Sequence, residues 1–212
     1  EEVMEVVISQ ALNATSAQVN LLDIHGNPTE TNVNMTFYDS FSGRIIYNFI
    51  HTINHKGNPD TLIMDHLLTY KLRVHTIPPV DVDNIKLTVG KHTIIGASTP
   101  QGTLVLKTKD GHQYRDLQYI VRKAGQKNTL NMQDMYKEEK YLVGEYDIEV
   151  PVLPRVYLNN VEIKQSHTTT IEIPRPGILT LIKAATGYGS IYHRISSKQE
   201  EWVCNIDSKV KH

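Results

Sequence analysis

The chain has 212 residues, 40% of them apolar and 21% charged, with a formal net charge of -1. That length suits one large domain or two to three small ones, and the charge balance provides no field that would drive broad nucleic-acid or membrane binding. The single cysteine, Cys204, excludes an intramolecular disulfide and a cysteine-based zinc site, and no run approaches the roughly 20 apolar residues of a membrane span.

The opening stretch, "EEVMEVVISQALNATS", predicts a helix over residues 1–14. Val3, Met4, Val6, Val7, Ile8, Ala11 and Leu12 form an apolar stripe at helical spacing, and Glu1, Glu2 and Glu5 sit where the macrodipole favours anions. The chain begins at Glu1 without methionine, which reads as a region excised from a longer chain.

From residue 15 the pattern changes to period two. "AQVNLLDIHGNPTE" reads as a strand ending in a turn at Gly26 and Pro28. "NVNMTFYD" alternates Val33, Met35 and Phe37 against Asn34, Thr36 and Tyr38. "RIIYNFIHTI" is apolar on both faces, "NHKGNPD" is a loop, and "LLTYKLRVHTI" follows as a further strand. Strands without intervening helices predict an all-β fold of antiparallel sandwich units, immunoglobulin-like or prealbumin-like.

"YKLRVHTIPPV" then recurs as "YDIEVPVLPRV", 76 positions later. At that shift Tyr70 matches Tyr146, Leu72 matches Ile148, Val74 matches Val150 and Pro78 matches Pro154. The match continues through Leu87 and Ile163, and after single-residue slips through Gly102 and Gly177, Leu104 and Leu179, Leu117 and Ile191, and Val121 and Ile195. These are the inward residues and chain reversals a sandwich needs, so the pattern indicates a duplicated unit. With the Pro-containing phrases taken as stiff steps between units, the expected division is 15–78, 79–154 and 155–212. The third unit has no copy of "YxLxV" and is expected to be truncated.

Candidate chemistry is sparse. His51 and His55 are the nearest approach to a metal pair and remain weak candidates, because a strand end and an Asn/Gly/Pro loop give them no defined geometry. Asp81-Val82-Asp83-Asn84 lacks the glycine and the closing glutamate of a calcium loop. No nucleophile elbow, phosphate loop or H-E-x-x-H is present, so no cofactor and no enzymatic activity are expected. Tyr188, Tyr192 and Trp202, the only tryptophan, are candidates for ligand binding, since planar rings stack on sugars and protein partners. Packing within or between domains is the competing reading of those rings.

Two resemblances extend this reading. Asp23-x-x-Gly26-x-Pro28, followed by "VNMTFY" and "YKLRV", resembles carboxypeptidase regulatory-like and transthyretin-like sandwiches. "MDHLLTYKLRVHTIPPV", "GKHTIIGASTPQGTLVLK", "LVGEYDIEVPVLPRV" and "IPRPGILTL" resemble the region following the von Willebrand factor A domain in a group of large exported bacterial proteins. That resemblance implies a non-catalytic spacer or protein-interaction region in the periplasm or at the cell surface. It also implies an adjoining A-domain as a protein partner. The A-domain's metal-dependent adhesion motif does not occur here; "DSFSG" at Asp39 has the wrong spacing.

Overall fold

The computed structural model describes residues 14–109, 117–174, 179–182 and 186–208. The helix expected over residues 1–14 lies outside the described residues except for its last position. Every regular element among the described residues is a strand, so the chain is all-β.

The first group of strands is β1 (Ser16–Leu22), β2 (Asn34–Asp39), β3 (Ile45–Ile50), β4 (Thr61–Ile63), β5 (Thr69–Val74), β6 (Val80–Lys86) and β7 (His92–Ser98). They form two sheets, in the orders β4-β1-β7 and β3-β2-β5-β6. Period-two alternation puts Ala17, Val19 and Leu21 of β1, Met35 and Phe37 of β2, and Tyr70, Leu72 and Val74 of β5 into one buried cluster. Phe37 meets Tyr70 edge to face at 6.1 Å between ring centroids. Two polar turns close this unit. The Asp23 carboxylate accepts the His25 and Asn27 amides, both at 2.8 Å, while Gly26 takes a φ of 81° that its Asp-x-x-Gly turn requires. Asp39 does the same for Phe41 and Ser42 in "DSFSG", which is therefore a turn-building carboxylate.

The next group is β8 (Gln101–Thr108), β9 (Gln118–Lys123), β10 (Asn131–Asp134), β11 (Glu139–Leu142), β12 (Gly144–Val150), β13 (Val156–Ile163) and β14 (Thr168–Ile173). Its sheets run β11-β8-β14 and β10-β9-β12-β13, the same plan as before. Leu104, Leu106, Tyr119, Val121, Tyr146, Ile148, Val150 and Ile163 are buried. Burial pushes the Tyr146 phenol up to about 12. A last hairpin, β15 (Gly189–Ser196) and β16 (Gln199–Ile206), follows. By contact the chain forms two compact units: the chain up to Thr103 with Lys140–Val143 and Ile163–His167, and the remainder from Leu104 onward.

Two expectations need correction. The sheets are not wholly antiparallel, because β1 pairs parallel with β7, from Ser16 opposite His92 to Leu22 opposite Ser98. The β5–β6 run belongs to the facing sheet and returns the chain to the free edge of β1, a route that alternation alone does not encode. The phrase "TIPPV" is also not a step between units. β5 pairs antiparallel with β6, Val74 opposite Val80, so the prolines reverse the chain inside one sheet. Proline lacks the amide a ladder would use, and a turn satisfies that constraint as well as a linker does. The equivalent Leu153–Pro154 lies between the neighbouring strands β12 and β13, and both X–Pro bonds are cis.

Candidate binding surface on the last hairpin

β15 and β16 pair antiparallel, with Ile191 opposite Cys204, Tyr192 opposite Trp202, His193 opposite Glu201 and Arg194 opposite Glu200. The shift between the first two pairs leaves Val203 as a bulge. Directly opposed residues share a face, so one row carries Ser190–Asn205, Tyr192–Trp202 and Arg194–Glu200. Its hydrogen bonds agree: Ser190 Oγ and Trp202 Nε1 both reach Asn205 Oδ1, at 2.9 and 3.0 Å, and Arg194 donates twice to Glu200. The other row carries Ile191–Cys204 and His193–Glu201.

Of the three aromatic candidates, the structure joins two. Tyr192 and Trp202 are 56% and 55% exposed and face each other across the hairpin. Tyr188 is 87% exposed but precedes the strand. At ~3.3 Å per residue, its backbone lies roughly 13 Å along the chain from Tyr192. A cleft of about 460 Å³ runs between the hairpin and Leu153–Pro154, floored by Leu179, Leu181, Ile191 and Cys204. A second, of about 320 Å³, opens beside Trp202 against Pro154 and Tyr157. Cys204 is half-buried opposite Ile191.

The histidine pair is divided by environment. His51 is 3% exposed, and its Nε2–H donates to the Val19 carbonyl at 3.0 Å, which ties β3's end to β1. Among the described residues its buried Nδ1 has no partner. His55 is exposed in the turn built by Asn54, whose side chain accepts the Lys56 and Asn58 amides. Among the described residues, no three His, Cys, Asp or Glu side chains come together to hold a metal.

Charge clusters lie on the fifth and sixth strands of the first repeat and on the second and fifth strands of the second; the sequence brought forward Asp81 and Asp83 but not the cations that hold them. Arg73 grips Asp81 through two hydrogen bonds of 2.7 Å, and Lys71 adds a contact at 2.9 Å. These hold the Asp81 carboxyl well below the usual range, Arg73 contributing most. The acidic pair Asp81/Asp83 is thus neutralised by protein cations and is not an open cation cradle. In the second repeat Glu149, buried, is held by Arg122 at 2.8 Å and by Arg155. Burial pushes its carboxyl up, but hydrogen bonds from Arg155 and Arg122 outweigh this and leave it below its ordinary value. The sequence signal was present in the repeat itself, since Lys71 and Arg73 align with Asp147 and Glu149.

Comparison with known proteins gives little. No protein-family profile matches the chain, and no curated protein does. Among solved structures the Bacillus anthracis TIE protein is similar at 9% sequence identity and a TM-score of 0.29, over 75% of this chain. The match spans only 34% of that protein.

Proposed function

We propose that this chain is a non-catalytic protein-interaction region that engages its partner through the β15–β16 hairpin. The observation that carries the reading is the exposed Tyr192–Trp202 pair, flanked by two clefts. Large rings held on a strand lose little conformational entropy on binding, and aromatic anchors dominate interface energetics. The charge clusters of both repeats are committed to ion pairs within the chain, which suits a scaffold. The resemblance to regions that follow von Willebrand factor A domains supports placing the chain in an exported bacterial protein. There it would act as a spacer beside that domain, in a string of sandwich units. Fractionation with an antibody to this chain tests the location: an envelope pool is expected, and a purely cytosolic pool would overturn it.

A second reading is favoured by the same pair, because exposed aromatic rings also suit sugar faces. Trp202 is the only tryptophan, so its fluorescence reports on this site alone. Titration with soluble envelope proteins and with an oligosaccharide panel separates the two readings. Protein-dependent quenching that disappears in Tyr192→Ala supports the interaction region. Quenching by oligosaccharides alone supports the glycan module, and no response to either removes both.

A further inference from the structure

The two four-stranded sheets end in the edge strands β3 and β6 in the first repeat and β10 and β13 in the second. Edges of soluble sheets are usually blunted by charge or by shortness, because their free amides and carbonyls invite another strand. β6 carries Asp81, Asp83 and Lys86, β13 carries Glu162, and β10 is four residues long and carries Asp134. β3 has neither protection. It is six residues, Ile-Ile-Tyr-Asn-Phe-Ile, without a charge, and Ile45 and Ile50 are more than half exposed. Its open side belongs to the plan of the repeat and not to an end of the chain. In the second repeat, which has chain on both sides, the equivalent β10 also pairs with β9 alone among the described residues. The hydrogen bonds show which groups face outward. His51 donates its amide to the Val33 carbonyl at 2.8 Å, and His75 donates to the Asn34 carbonyl at 2.9 Å. By alternation Met35 and Phe37 turn their main-chain groups to β3, and Thr36 turns its own to β5. On β3, Tyr47 and Phe49 therefore face β2, and the amides and carbonyls of Asn48 and Ile50 face away from it.

We infer that β3 is a pairing edge for a second copy of this chain, joined antiparallel across a two-fold axis at Asn48. Such a pair requires a strand that complements its own reverse, and β3 meets that requirement. With Asn48 opposite Asn48, the two outward amides and carbonyls at that position satisfy each other. Tyr47 of each copy then lies opposite Phe49 of the other, the closer, non-hydrogen-bonded kind of pair, in which aromatic residues add stability. Both rings stand on the row that faces the core, where Phe49 already stacks on Phe37 at 6.4 Å between centroids. The two Asn48 side chains meet on the outer face and can bond amide to amide. Because β3 is uncharged, no like charges oppose each other across the axis. The two β3-β2-β5-β6 sheets would become one continuous sheet of eight strands. This surface is separate from the β15–β16 hairpin, so it stands or falls independently of the function proposed above.

Sedimentation equilibrium of the whole chain over a range of concentrations tests this. A reversible monomer–dimer equilibrium is expected. Asn48 is exposed, so Asn48→Lys and Asn48→Asp change the edge without entering the core, and circular dichroism confirms that each variant is folded. Either variant alone places like charges across the axis and should weaken dimerisation by about tenfold or more. An equimolar mixture of the two should dimerise again, because only a register with Asn48 opposite Asn48 joins the two opposite charges. Met132→Lys, the same change on exposed β10, and Trp202→Ala on the hairpin should both leave the dimer intact. A chain that stays monomeric at every concentration would overturn the proposal. So would a dimer that survives Asn48→Lys, a mixture that stays monomeric, or equal dissociation by Met132→Lys. Loss of the dimer in Trp202→Ala would assign self-association to the hairpin and also overturn it.

Discussion

Arg73 and Glu149 hold the same place in successive repeats and carry opposite charge. Each lies next to the buried Val of its strand, and each is neutralised within its own sheet, Arg73 by Asp81 and Glu149 by Arg122 and Arg155. The position demands an ion pair rather than a particular sign. The two pairs differ in burial, and that decides their worth. Glu149→Gln, which leaves two guanidinium groups without their carboxylate, is expected to cost about 2–3 kcal/mol. Asp81→Asn, in the more exposed cluster, should cost about 1 kcal/mol or less. Urea unfolding of both variants checks the ranking, and equal losses would contradict it.

The same carboxylates set an acid limit. Asp81 and Glu149 are both held below their ordinary values of 3.8 and 4.5 in the folded chain. A depressed folded value means stability that is present above the unfolded value and lost as pH falls through the folded one. Thermal unfolding followed from pH 6 down to pH 2 should therefore show a falling Tm beginning near the ordinary carboxylate range. The slope should be shallower in Glu149→Gln. An unchanged slope in that variant would remove Glu149 from the account.

Gly102, at the start of β8, has no room for a side chain. A Cβ there would stand 2.1 Å from the Lys164 carbonyl oxygen and 2.8 Å from Ile163. Backbone cannot yield as a flexible side chain can, so Gly102→Ala should destabilise by about 1–3 kcal/mol. Chemical denaturation of that variant, with Gly125→Ala at an open turn as a comparison, checks the steric reading. Gly125→Ala is strained by its φ of 73° but meets no atom within 4 Å.

Much of this fold was legible in the sequence because its rule is simple. Tyr70, Leu72 and Val74 alternate with Lys71 and Arg73, and burial follows that alternation residue by residue. The recurrence at Tyr146, Ile148 and Val150 likewise marks the core row of an equivalent strand. Connectivity was less legible. Pro78 and Pro79 announce only that an amide is missing, which fits a linker and a turn alike, and the pairing of Val74 with Val80 distinguishes them. The parallel β1–β7 pair joins residues 76 positions apart, such as Ser16 and His92, and alternation carries no record of direction. At the candidate surface, spacing brought forward Tyr192 and Trp202 but could not show that they are opposed. Two bulged residues, Val203 and Ile195, flank that register. His51 stood out in the sequence only as a weak metal candidate beside His55, in what read as a polar loop; burial against the Val19 carbonyl gives it a structural task.

The account's central claim is that the β15–β16 hairpin stands as a two-stranded sheet among the described residues, whereas β2 and β9 each lie between two strands, and hydrogen–deuterium exchange on this chain tests it most directly. Amides of β2 and β9 should be strongly protected on both edges, because each strand has two neighbours. In β15, amides facing β16 should be protected and those on the other edge should exchange rapidly. Uniform protection along β15, equal to that of β9, would contradict the claim.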